Sequence, residues 1–179
     1  MRALNLLAIP FVLAIPVLLM ATNIRWLANE ERFYRYELVR HDAQGRTGLP
    51  EEELRRAARE LIAYFNSSAP AADIRIIQEG QSVPLFNPRE RAHLADVKGL
   101  LQGTFRAQEG ALALVLLYPA LAFFLGRRPL RPLARQALWG AGLALALVAV
   151  LGALALFNFD WAFLQFHFLT FANELWRLD

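Results

Sequence analysis

Three histidines occur in the 179 residues, and two of them stand where an imidazole could move protons. His93 lies in the run from Pro88 to Lys98, which opens with Asn87-Pro88-Arg89-Glu90. That opening predicts a helix: Asn caps, Pro suits the first helical position, and Glu at the third reaches back to the cap. On such a helix Asp96, three residues on, shares a face with His93 and could orient its ring, while Lys98 adds a nearby cation. His167 sits in an oily stretch among Phe163, Phe166, Phe168 and Phe171. The third, His41, belongs to the polar run His41-Asp42-Ala43-Gln44-Gly45 and is expected in water. Imidazole, with an ordinary pKa near 6.5, takes or gives a proton at neutral pH, so the pattern points to general acid–base work. One histidine on an aromatic face is more often a packed structural residue than a catalyst; two brought to one leaflet weigh toward chemistry. Arg89, Glu90 and Arg91 read first as a solvated helix start or headgroup contact. Asp96 and Lys98 fit equally well as functional groups or as a surface ion pair, which stabilises by only about 0 to 1 kcal/mol.

The chain contains no cysteine, which excludes disulfides, thiolate nucleophiles and Cys-ligated metal or cluster sites. G-x-S-x-G, P-loop, G-x-G-x-x-G and H-E-x-x-H signatures are all missing. A His, His, Asp metal site is compatible with the composition, but neither metal nor cofactor is the expectation. The formal charge of +3 does not indicate nucleic acid, because residues 25–109 carry 13 basic and 13 acidic side chains. The excess comes from Arg2 and from Arg127, Arg128, Arg131 and Arg135, partly offset by the acidic tail. These are membrane flanks.

The elements that must position the histidines begin with 56% hydrophobic residues gathered into three long apolar segments. Residues 1–24 form the first expected span, longer than a leader's apolar core and without a small-x-small cleavage site. Pro10 and Pro16 should bend it. The second, 109–125, is short by itself: Ala111–Leu125 would reach only about 22 Å, so it must borrow length from the helical stretch before it. The third is 137–157, where Gly140, Ala141 and Gly142 permit close helix contact. The loop 126–136 carries the four arginines and, like the N-terminus, should be cytoplasmic by the positive-inside bias. Residues 25–108 and the interfacial tail 158–179 then share the extracytoplasmic side.

Residues 25–108 have the pattern of a folded cap. Leu54, Ala57, Ala58, Leu61, Ile62 and Phe65 repeat at helical spacing behind Pro50 and three glutamates. Ile74, Ile76, Val83 and Leu85 flank Glu79-Gly80-Gln81 and predict a hairpin. Glu30 to Arg40 should be helical. The expected class is an all-α-dominated polytopic membrane protein: three transmembrane helices and a small α+β extracytoplasmic cap.

Two stretches carry a family resemblance. PREXXHLXDVK, here Pro88 to Lys98, and the tail from Phe166-His167 through Asn173 and Trp176 to Asp179 resemble the bacterial lipoprotein intramolecular transacylase family, Lit. The resemblance covers most of the chain. It implies an enzyme of the bacterial cell membrane that moves the sn-2 acyl chain of a diacylglyceryl-modified lipoprotein onto the α-amine of its N-terminal cysteine. The implied partners are that lipoprotein and membrane lipids, with no nucleic acid. The motif histidines carry over onto His93 and His167 as the essential pair. Asp96 would steer His93, and Arg89 and Lys98 would be candidates to support the oxyanion. Members usually continue after W-x-x-D into a fourth membrane helix, so a further span beyond Asp179 is the favoured expectation, a three-span branch the other. The competing classes are a non-catalytic membrane receptor or assembly subunit and a metal-dependent membrane hydrolase.

Overall fold

The computed structural model describes residues 7–78, 80–124 and 130–177, so expectations for residues 1–6, 79, 125–129 and 178–179, including Arg2, Glu79, Arg127 and Arg128, lie outside the described residues. The elements run α1 (Ala8–Asn29), α2 (Glu31–Arg40), α3 (Ala43–Thr47), α4 (Glu51–Phe65), β1 (Arg75–Gln78), β2 (Gln81–Pro84), α5 (Pro88–Phe124), α6 (Leu130–Phe157) and α7 (Phe159–Thr170). Among the described residues, α1, α5 and α6 are long and apolar enough to cross a membrane. The class is therefore the expected one, a polytopic helical membrane protein with one small sheet. The chain divides into two compact units, one of Met1–Ile24 with Thr104–Leu169 and one of Arg25–Gly103 with Thr170–Asp179.

In the first, the span unit, helices approach where side chains are small. A Cβ built on Gly140 would stand 2.6 Å from Cδ1 of Ile15 and 2.9 Å from the Val12 carbonyl, so α6 and α1 meet closely there. Tyr118 of α5 is fully buried; its ring lies 4.9 Å from that of Phe11 and its hydroxyl donates to Oε1 of Gln136 at 3.1 Å. Gln108 donates to the Thr22 hydroxyl at 2.9 Å. Such polar links suit helices in lipid, which lack a hydrophobic drive toward one another. The short second apolar segment does gain length, because α5 is a single helix of 37 residues. Leu130 to Gln136 differ from expectation: they are helical rather than loop. Pro132 falls in the first described turn of α6, where its missing N–H leaves no bond unmade.

The second, α+β unit forms around the amphipathic face of α4. Leu54 packs with Leu49 and Ile76, backed by Leu38 of α2 and by Val83 and Leu85. The strands pair antiparallel with Ile76 opposite Val83 and Gln78 opposite Gln81, and Gly80 takes the positive φ of 78° that the tight reversal needs. Tyr64 and Phe65, at the end of α4, pack with Ala72 and with Leu94, Val97 and Leu101 from the first turns of α5.

Candidate active site

The start of α5 is fixed by reciprocal capping. Glu90 N–H donates to Asn87 Oδ1 at 2.9 Å, and Asn87 N–H donates to Glu90 Oε2 at 2.7 Å. From that start, a helical step of about 100° per residue puts Arg89, His93 and Asp96 within an arc of about 60°. All three meet the tail. Arg89 Nη2 donates to the Glu174 carbonyl at 3.1 Å. The His93 ring meets Phe171 edge to face, centroids 5.2 Å apart and planes at 67°. The Asp96 carboxylate accepts from Asn173 Nδ2 at 2.8 Å, while Asn173 Oδ1 accepts from the Leu175 N–H at 3.0 Å. Asp96, expected to steer the imidazole, is thus a tether for the segment that carries Phe171 to it.

Lys98 projects from the opposite side of α5 and is buried. Its ammonium donates to the Ala69 carbonyl at 2.7 Å and to the Ser67 hydroxyl at 3.2 Å, and lies 4.3 Å from the centre of the Tyr64 ring. Burial raises the Tyr64 phenol above its ordinary range, keeping the ring beneath the cation neutral. One turn on, Gln102 Nε2 donates to the carbonyls of Phe65 and Ser67. Lys98 therefore holds the turn after α4 against α5. The sequence held a signal for this: the run from Asn66 to Pro70 leaves carbonyls outside any helix or strand, and long polar side chains must answer them if they are buried.

His167 is set by α7. Asn158 Oδ1 accepts from the Trp161 N–H at 3.1 Å and caps the helix, with Asp160 in its first turn. The His167 ring is buried, 4.0 Å from the Phe163 ring and 5.3 Å from the Phe166 ring. Its Nδ1 lies 2.8 Å from the Phe163 carbonyl. A carbonyl only accepts, so Nδ1 carries hydrogen and the neutral ring keeps its basic lone pair on Nε2. His41 is an exposed surface group, paired with Glu37 at 3.2 Å. Among the described residues, no three His, Cys, Asp or Glu side chains gather as a metal-binding group.

Residues 9–179 match the family described as "Lipoprotein intramolecular transacylase Lit". No curated protein matches significantly. Among solved structures, the fold is similar to that of the membrane-integral lipoprotein intramolecular transacylase Lit from Bacillus cereus. The TM-score is 0.78 at 19% identity, covering 99% of this chain and 77% of that one. Two histidine-substituted forms of the same protein are also similar. The alanine form gives a TM-score of 0.71 at 19% identity over 99% and 76% of the two chains. The arginine form gives 0.66 at 19% identity over 99% and 73%. At this identity the likeness establishes the fold, and the family match establishes the lineage. The chain belongs to the lipoprotein intramolecular transacylase family, whose members are membrane acyltransferases.

Proposed function

We propose that this transacylase moves the sn-2 acyl chain of a diacylglyceryl lipoprotein to the α-amine of its N-terminal cysteine, with His93 and His167 sharing the proton transfers. The observation that carries the reading is the meeting of the two family motifs in the α+β unit: Arg89, His93 and Asp96 of the first each touch the tail of the second. Phe171, against which His93 rests, follows His167 by four positions in the chain.

The chemistry asks for one proton to be removed and one to be delivered, by two carriers or by one that acts twice. An α-amine with a pKa near 7.7 to 8.0 is largely protonated at neutral pH and attacks an ester carbonyl only after losing a proton. The nitrogen–carbon bond then forms, the carbon–oxygen bond to the glycerol breaks, and the departing alkoxide takes up a proton. The ester becomes an amide plus a free glycerol hydroxyl. The Phe163 carbonyl holds Nδ1 of His167, so Nε2 is the nitrogen through which this ring would exchange a proton. Amine and ester belong to one molecule, so the rest of the task is orientation, for which a near-attack ring can contribute about 7 to 11 kcal/mol. Arg89 stands beside His93 on the same face and supplies positive charge near the developing oxyanion. Asp96 and Lys98 act by position, through the tail and through the turn after α4.

In this reading the N-terminus and the 126–136 segment face the cytoplasm, while residues 25–108 and the tail face outward toward the lipoprotein. The arginines Arg127, Arg128, Arg131 and Arg135 support that orientation. Family membership favours this enzyme over a receptor or assembly subunit. The test is conversion of a synthetic diacylglyceryl lipopeptide by the purified protein, read by mass spectrometry. His93→Ala and His167→Ala should each lower the rate by about 10²- to 10⁴-fold, the ordinary contribution of a positioned acid or base. Conversion at the wild-type rate by either variant would remove that histidine from the mechanism.

A further inference from the structure

Helix α2 turns three apolar side chains outward. Phe33, Tyr36 and Val39 are exposed, Val39 by 71%, although their spacing by threes places them on one side of the helix. Leu38 and Tyr34 point the other way: Leu38 joins the core with Leu54 and Ile76, and the Tyr34 hydroxyl donates to the Ala28 carbonyl. Arginines are interleaved with the outward stripe. Arg32 and Arg40 fall within the same arc of about 120° and Arg35 lies at its edge. The Arg40 guanidinium lies 5.8 Å from the Tyr36 ring centre, and its Nη1 donates to the Tyr36 hydroxyl at 3.1 Å.

The acidic groups nearby are placed so that this face stays positive. Glu30 pairs with Arg32 at 2.8 Å, and that arginine holds its carboxyl down to about 2. Glu37 is turned toward His41, and Glu31 toward Arg59 of α4. Arg35, at the edge of the stripe, shares a concavity with Asp42 and Glu51, so Arg40 within the stripe carries most of the excess. An apolar stripe with aromatic rings and interleaved arginines fits neither water alone nor a purely apolar partner. It fits the boundary layer of a bilayer, where rings sit at headgroup depth and guanidinium groups meet phosphates. The position in the chain agrees. Only Glu30 separates α2 from the end of α1, which is long and apolar enough to cross a membrane and whose last turns carry the exposed Trp26. Ten helical residues rise about 15 Å, so the whole stripe stays close to that end.

We propose that the outward face of α2 is a lipid-docking surface, seated in the headgroup layer of an anionic membrane by Phe33, Tyr36 and Val39 and by the charge of Arg40 with Arg35 at its edge. This inference concerns lipid contact alone and does not rest on the acyl-transfer reading. The cysteine-free sequence gives a direct test with the full chain. Nitroxide labels are placed at Val39→Cys and, for comparison, at Glu52→Cys, whose side chain is exposed in the acidic first turn of α4. The protein is reconstituted in bilayers of phosphatidylglycerol with phosphatidylcholine, and collisions with oxygen and with a water-soluble nickel chelate are measured by power saturation. The label at 39 should collide freely with oxygen and several-fold less with nickel than the label at 52. That contrast should shrink in pure phosphatidylcholine and in the Arg35→Glu/Arg40→Glu background. Equal nickel access at both labels would show the face in water, and exclusion of both reagents at 39 would show protein covering it. Either result, or a contrast indifferent to both lipid charge and charge reversal, would overturn the proposal.

Discussion

Two faces of the first four turns of α5 do different work with different side chains. One presents Leu94, Val97 and Leu101 to Tyr64, Phe65 and Ala72, with Lys98 and Gln102 closing the polar groups of the turn beyond α4. The other presents Arg89, His93 and Asp96, polar side chains that are half-buried or exposed and that each meet the tail. Apolar burial and satisfied buried polar groups stabilise a fold; isolated contacts at a wet surface contribute little. Exposed contacts of the second kind add little to the stability of the helix that carries them. The same argument separates the two cations: Lys98 is enclosed by the groups that it satisfies, whereas Arg89 is exposed and reaches the Glu174 carbonyl of the tail.

The division predicts opposite outcomes for neighbouring substitutions, each checked by thermal unfolding in detergent and by lipopeptide conversion per folded molecule. The largest effect belongs to His93→Ala: conversion falls about 10²- to 10⁴-fold while the unfolding midpoint stays near wild type. An equal collapse in stability would move His93 to the structural face. Next comes Lys98→Met, which keeps the length of the side chain but leaves the Ala69 carbonyl and Ser67 hydroxyl without their cation. Bonds from a charged donor and a cation–π contact together account for about 2 to 3 kcal/mol, so the midpoint should drop by several degrees. The surviving folded fraction should convert substrate at close to the normal rate; a selective loss of conversion without loss of stability would assign Lys98 to the chemistry.

Asp96 sharpens the contrast because its role is positional. Asp96→Ala removes the acceptor for Asn173 and frees the tail beside His93, and a misplaced catalytic neighbourhood costs conversion about tenfold, mostly in kcat. Asp96→Asn retains an oxygen that accepts the same bond and should recover most of the rate. If Asn fails where Asp succeeds, the negative charge itself matters, as it would if the carboxylate steered an imidazolium.

What the sequence shows most plainly is what depends on near neighbours. The capping pair of Asn87 and Glu90, the amphipathic face of α4 and the hairpin at Gly80 are each decided within a few residues, and all three form as the pattern implies. Lys98 was harder to read because a lysine between apolar residues ordinarily reaches for water. Its burial depends on where the chain turns after α4, about thirty residues earlier. The clasp of Asp96 on Asn173 joins residues 77 apart, beyond any periodicity. Helix α7 did carry a local signal, Asn158 with Asp160 in the first turn, but the density of phenylalanine around His167 read more strongly as an interfacial tail. The order of three apolar spans places the segments of His93 and His167 on one side of the membrane, and the resemblance adds that the two histidines work as a pair.

The smallest effect tests whether the structural face also depends on charge in the helix it packs against. Glu53 of α4 accepts from Arg56 at 2.8 Å and from the Ile77 N–H of β1 at 3.3 Å, and these bonds hold its carboxyl below its ordinary range, Arg56 being the larger cause. A carboxyl depressed in the folded state stabilises fully above its unfolded pKa, near 4.3, and loses that contribution as pH falls through the lower folded value. The unfolding midpoint should therefore decline modestly as the pH is lowered from about 5 to 3. Glu53→Gln, which keeps an oxygen for Ile77 and has no charge to lose, should flatten part of that decline. Because Glu53 is partly open to solvent, added salt should shrink the difference between the two proteins. Identical pH profiles for wild type and Glu53→Gln would mean that the hairpin is held by Leu54, Ile76 and Val83 without help from this carboxylate, and that both sides of the structural face are held by burial rather than by ion pairs.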